Sequence, residues 1–239
     1  MAEAKMEYIL IIIISIIAIF LLKIGLNIHI KDIQKIKEIG YDKKLNEIGN
    51  KFPNNIEICK TILKKLNNKD VKIEEEKDSK TSLYIAISNK IIIADIQDTF
   101  TRIQTIAHEC LHSVQNKRIL LFNFIFSNVF LLYFLIAIFL ILFNATNAMA
   151  FIQTFLVLGI IYCTVRMYLE NEAMSKAIYV AKEYMREYKQ VNNNIEDEEI
   201  ETLVNNLAEL NKIGIPLTNF QLVSLTIIKI IILCILALI

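Results

Sequence analysis

His108-Glu109-Cys110-Leu111-His112 sets two imidazoles four residues apart, one above the other on a single helix face, with a carboxylate directly after the first. Two neutral imidazole nitrogens at this spacing converge on one zinc ion. The glutamate, turned about 100° around the helix, stands beside the metal and is free to accept a proton. The chain carries three histidines in 239 residues, so two of the three are committed to this stretch. The third, His29, follows the first apolar run and reads as an interfacial side chain. The expectation is metal-assisted hydrolysis, with His108 and His112 as ligands of Zn2+ and Glu109 as general base.

Around the motif, Phe100, Ile103, Ala107, Cys110, Leu111 and Val114 form one apolar face. Thr101, Gln104, Thr105, His108, His112 and Gln115 form the other. This pattern predicts an amphipathic helix over 98–116 capped by Asp98. Upstream, Leu83 to Ile87 and Ile91 to Ala94 flank Ser88-Asn89-Lys90 and predict a hairpin with a three-residue turn. Glu74-Glu75-Glu76-Lys77-Asp78 reads as a solvated loop. Asn54, with Glu57 three residues on, resembles a capping box for a helix carrying Ile56, Cys59, Ile62, Leu63 and Leu66.

Hydrophobic residues make up 55% of the chain, yet 26 residues are Lys or Arg and 25 are Asp or Glu. The two populations are segregated into blocks, as in a membrane protein with a soluble part. An anchor over 8–28 lacks a cleavage site. Ile119 to Phe143 and Ala150 to Val165, the latter extending to Leu169, make a transmembrane hairpin over 119–169. Phe220 to Ile239 is a fourth span, interrupted by Lys229 and placed after a breaker at Gly214-Ile215-Pro216. Lys229 marks an intramembrane functional site or a lysine that snorkels or faces the bundle interior.

The expected fold is mainly α: four transmembrane helices with a small α+β, zincin-like domain at 29–118 and further soluble helices at 170–215. Lysines and arginines after the first and third spans and before the second put the soluble segments in the cytoplasm and both termini outside. The chain is therefore expected to be a multi-pass protein of the cell membrane with its site on the cytoplasmic face. Four cysteines show no disulfide spacing. A net charge of +1 without aromatic-basic interleaving argues against nucleic acid as a partner. Asn144-Ala145-Thr146 matches a glycosylation acceptor but sits too close to the bilayer to serve as one.

A hydrolytic zinc takes three protein ligands and keeps one open position. The membrane hairpin returns the chain to the face it left, which brings a carboxylate at the start of the following helix within reach of the histidines. Glu170 shares a face with the small residues Ala173 and Ala177, and Glu172 is the alternative.

His108-Glu-Cys-Leu-His-Ser-Val-Gln115, an uncharged hairpin, and then Glu170-Asn-Glu-Ala-Met-Ser-Lys-Ala177 together resemble the YugP-like neutral zinc metallopeptidases of bacteria. Their pattern runs His-Glu-Val-Gly-His-Ala-Ile-Gln and later Glu-Phe-Asp-Ala-Ser-Arg-Arg-Ala. More distantly the chain is similar to integral-membrane peptidases of the HtpX and prenyl-protein-processing kind, of gluzincin type. The resemblance implies His108, His112 and Glu170 as zinc ligands and Glu109 as the base of peptide hydrolysis, with a peptide or protein substrate and the lipid bilayer as partners. Leu111 stands where relatives have glycine. Met174 stands where they have serine or aspartate, so the group orienting a histidine comes from elsewhere, with Ser175 the candidate. Substrate is expected along the Ile91–Ala94 strand, and Tyr162, Tyr168 and Tyr179 are candidate oxyanion donors. The reading from another class is a non-catalytic zinc-binding membrane scaffold or sensor.

Overall fold

Apolar runs of the length seen here bury no polar face, and they form the longest helices of the chain. The computed structural model describes residues 2–79, 81–143 and 147–239. Asn144-Ala145-Thr146, and with it half of the expected connection at 144–149, lies outside the described residues. In chain order the elements are helices α1 (Ala2–Gly25), α2 (Ile30–Gly40), α3 (Lys43–Gly49) and α4 (Asn55–Lys65), and strands β1 (Lys72–Glu76), β2 (Leu83–Ile85) and β3 (Lys90–Ala94). Helices α5 (Arg102–Val114), α6 (Lys117–Leu142), α7 (Ala148–Val191) and α8 (Asp197–Leu238) follow. Among the described residues four helices, α1, α6, α7 and α8, are long and apolar enough to cross a membrane, consistent with a multi-pass membrane protein.

The chain divides into two units. The first comprises residues 1–28, 122–168 and 216–239. Its interior is a seam in which Phe130 of α6 stacks on Phe155 of α7 at 4.5 Å and on Tyr162 at 4.8 Å. Gly159 lets α7 approach α8 closely, since a Cβ there would lie 2.8 Å from Thr226 Cγ2. Tyr8, Ile141, Ile152, Leu233 and Cys234 share one cluster, and Lys5 Nζ donates to the Leu238 carbonyl at 3.1 Å. The start of α1, the end of α6, the start of α7 and the end of α8 are therefore gathered at one end of this unit. Its outer surface is apolar, with residues such as Ile13, Phe20, Leu132, Ile160 and Leu225 exposed, which suits contact with hydrocarbon.

The second unit comprises residues 29–121 and 169–215. Its sheet has the order β1-β3-β2, with β1 parallel and β2 antiparallel to β3. Three expectations are corrected here. The acidic run is not a loop: Glu74, Glu75 and Glu76 pair with Ile92, Ile93 and Ala94. An edge strand satisfies its backbone through β3 while charged side chains stay in water and protect its outer edge. The hairpin turn is four residues, 86–89, closed by Asn89 at φ 48°, a left-handed position that asparagine tolerates. Lys90 opens β3 instead of belonging to the turn.

Third, α5 begins at Arg102 with Thr101 as N-cap, not at Asp98, and it ends at Val114 rather than at 116. The Phe100 N–H is taken by Asn46 Oδ1 at 2.9 Å, which holds the chain out of helix until the next residues. Arg102 then anchors the helix from within the core. Its fully buried guanidinium donates to the carbonyls of Pro53 (2.6 Å), Gly49 (2.9 Å) and Phe52 (2.9 Å) and to Asn55 Oδ1 (3.1 Å). Gly49 is required for this closeness, because a Cβ would lie 2.9 Å from Phe100 Cα. At the far end, Asn68 Nδ2 donates to the Ser113 carbonyl and Oγ, both at 3.0 Å. The helix that carries the histidines is thus fixed at both termini.

The remaining core follows the amphipathic reading with small shifts. Asn54 caps α4, accepting the Glu57 N–H at 2.9 Å, and Ile58, Cys59, Ile62 and Leu63 are buried. On α5, Ile103, Ile106, Ala107, Cys110 and Leu111 are buried, but Val114 is exposed. Ala173, Ala177 and Ala181 of α7 enter the same cluster, where their small side chains allow helices to approach. Gly214 and Pro216 do not break the chain, since α8 runs through them. Proline removes one helical N–H donor and strains one turn, and the helix tolerates this with continuous pairing on either side.

Candidate metal centre

α5 supplies two of the three groups that meet in the second unit. His108 and His112 lie one helical turn apart with ring planes at 86° and their Nε2 atoms 3.0 Å apart. α7 supplies the third: Glu170 Oε2 is 3.4 Å from His108 Nε2 and 3.7 Å from His112 Nε2. Among the described residues these three form a group that can hold a metal ion. A tetrahedral zinc with bonds of about 2.0–2.2 Å holds its donor atoms ~3.3–3.6 Å apart. The observed separations bracket that spacing. A point equidistant from all three atoms lies about 2.0 Å from each, which is a zinc bond length. The donor set, two imidazoles and a carboxylate, is one that zinc takes.

Gln115 fixes which nitrogen of His112 is available. Its Nε2 donates to the Leu169 carbonyl at 2.9 Å and to Glu172 Oε2 at 3.0 Å. Both partners accept only, so the amide oxygen must face the other way, where it lies 2.8 Å from His112 Nδ1. Nδ1 therefore carries the proton, and Nε2 presents its lone pair toward His108 and Glu170. Burial acts against a charge on His112, but Glu170, which accepts from and attracts the protonated form of the ring, with Gln115 in support, raises its pKa above the ordinary value. Ser175, the expected orienting group, does not have this role; Gln115, from the same helix face as the two histidines, does. The signal was present in the sequence as the residue three positions after His112, on the polar face of the helix.

Glu172 is engaged elsewhere. One carboxylate oxygen takes Gln115 and the other lies 2.6 Å from Lys176 Nζ, and the Lys176 hydrogen bond foremost lowers its pKa. It supports the orienting amide and lies outside the ligand group.

Glu109 stands beside the cluster, with Oε1 4.0 Å from His108 Nε2 and the side chain 8% exposed. Burial raises its pKa; the positive character of His108 and His112 and a hydrogen bond from the Tyr84 backbone N–H act in the opposite direction. That hydrogen bond places β2 next to the site. β3, the strand expected to receive substrate, is central and hydrogen-bonded on both sides, so it has no free edge. β2 is the strand with an open edge here.

Of the candidate oxyanion tyrosines, Tyr162 stacks on Phe130 within the first unit, and Tyr168, two residues before Glu170, is 56% exposed. Tyr179 is largely exposed and nine residues past Glu170, ~13 Å along the helix. His29 caps α2, its N–H donating to Asp32 Oδ2 at 2.9 Å. All four cysteines are free and buried; Cys59 and Cys110 approach to 3.6 Å behind the motif helix, as core thiols. No protein-family model matches the chain, and neither a curated protein nor a solved structure does.

Proposed function

We propose that the chain is a membrane-anchored zinc peptidase, with His108, His112 and Glu170 as metal ligands and Glu109 as general base. The observation that carries this reading is the convergence of the three donor atoms, with His112 held in the metal-binding tautomer by Gln115. When bound there, a zinc ion supplies Lewis-acid polarisation of a carbonyl and acidifies water to a pKa of about 7.

Glu109 lies close enough to the three donors to take the proton of an attacking water and hand it to the departing amine. Its burial excludes competing solvent, and the Tyr84 N–H holds its carboxylate in place. A substrate backbone can align with the outer edge of Leu83–Ile85, the strand whose central residue, Tyr84, meets this carboxylate. The resemblance of the sequence to YugP-like peptidases points to the same chemistry. The distribution of basic residues around the four apolar helices supports a site on the cytoplasmic face of the cell membrane.

The test is hydrolysis of a quenched fluorescent peptide by detergent-purified protein. Cleavage by the wild type, loss with a chelator, and loss in Glu109→Gln with metal retained support the peptidase. Zinc binding with no cleavage of a broad peptide library refutes it in favour of the scaffold or sensor reading.

A further inference from the structure

Lys229 sits in the middle of the apolar unit. It is nine residues before the end of α8, ~13 Å along the axis, in a hydrocarbon layer about 30 Å thick. The ring beneath it, Phe130, lies midway along α6. The Lys229 ammonium rests 5.3 Å from the Phe130 centroid and 5.6 Å from that of Phe134. Two aromatic faces hold a cation at this depth without cancelling its charge.

Among the described residues no carboxylate of this unit is paired with it. Glu3 and Glu7 are the only acidic residues in segments 1–28, 122–168 and 216–239. Both belong to the end of α1 that Lys5 ties to Leu238, far from mid-depth. One turn before Lys229 on α8, the Cys163 thiol and the Thr226 hydroxyl meet at 3.4 Å; they are polar and neutral. Toward the outside, Leu225, Ile228 and Ile232 are exposed at helical spacing on either side of Lys229, so this stretch of α8 faces hydrocarbon. A half-buried cation bordering a lipid-facing surface, held by ring faces and lacking an acidic partner among the described residues of its own unit, is a recognition point for an acid delivered through the membrane.

We propose that Lys229 docks a transmembrane helix of another protein carrying an aspartate or glutamate at mid-depth. Lipid headgroups do not reach that depth. A second copy does not qualify, because the apolar spans of this chain hold no mid-depth carboxylate.

The test uses full-length protein in phosphatidylcholine vesicles with synthetic leucine-alanine transmembrane peptides whose central residue is Asp, Asn or Leu. Association is read by energy transfer. The Asp peptide is expected to associate at least tenfold more tightly than the Leu peptide, and Lys229→Met should abolish the difference while Lys229→Arg keeps it. Met matches the lysine stem in volume, and an unchanged thermal transition confirms that the variant is folded. Equal association of Asp and Leu peptides, Asn matching Asp, or an Asp preference that survives Lys229→Met overturns the proposal.

Discussion

Replacing Gln115 by leucine tests whether the metal centre is organised as described. The side chain makes three hydrogen bonds, at 2.8 Å to His112 Nδ1, 2.9 Å to the Leu169 carbonyl and 3.0 Å to Glu172. Only the first acts directly on a ligand. Without it, His112 loses about 1 kcal/mol of orientation and tautomer preference. The lost tethers add freedom between α5 and the start of the Glu170 segment. Outer partners of metal-bound histidines typically contribute 10–100-fold in affinity, so the zinc dissociation constant of Gln115→Leu should rise by about that factor, or roughly 1.4–2.7 kcal/mol. Competition against a chromophoric chelator measures it. A sharper version is Gln115→Glu, which sets a carboxylate against both Glu172 and the Leu169 carbonyl and should weaken the centre more than leucine does. Adding Glu172→Gln restores a donor to face the new acceptor, and the double variant should recover most of the affinity. If Gln115→Leu binds zinc within twofold of wild type, or Glu172→Gln fails to rescue, the orienting role is wrong.

Two further substitutions test the scaffold. Arg102→Ala leaves the carbonyls of Gly49, Phe52 and Pro53 unanswered in the core; with about 1.5–3 kcal/mol for each charge-assisted bond and incomplete additivity, the loss should exceed roughly 3 kcal/mol. Thermal unfolding followed by circular dichroism should show a clear drop in the transition, and an unchanged midpoint would contradict the anchor. Gly159→Ala forces its new methyl against Thr226 Cγ2, 2.8 Å away, and should cost about 1–3 kcal/mol. Adding Thr226→Ser removes that methyl while keeping the hydroxyl near Cys163, so resistance to detergent-induced unfolding should return. Failure of the second change to rescue the first would contradict the close approach of α7 and α8.

Much of this arrangement was legible because it depends on periodicity. The four apolar helices, the 3–4 pattern on α4 and α5, and the small face of α7 all follow from one residue type recurring at helical spacing. What escaped the sequence depends on partners distant in the chain. The acidic stretch at 74–76 has the composition of a loop, and only its backbone pairing with Ile92, Ile93 and Ala94 makes it a strand. Pro216 carries a local signal to stop, which the helix on both sides overrides. Nothing local marks Arg102 as a core residue, because the three carbonyls that converge on it lie 49–53 residues earlier. At the metal centre the three ligand groups came from spacing and topology. The orienting amide does not lie beside Met174 and Ser175 in the α7 segment, since the bond runs along α5 itself from His112 to Gln115.

X-ray absorption at the zinc edge of the metal-loaded, full-length protein bears most directly on the account. One ion per chain, with two imidazole nitrogens and a carboxylate oxygen at about 2.0–2.2 Å and that signal lost in both His108→Ala and Glu170→Ala, is the result expected. Sulfur at about 2.3 Å in the first shell, or a spectrum unchanged by those substitutions, would place the ion elsewhere and contradict the centre described here.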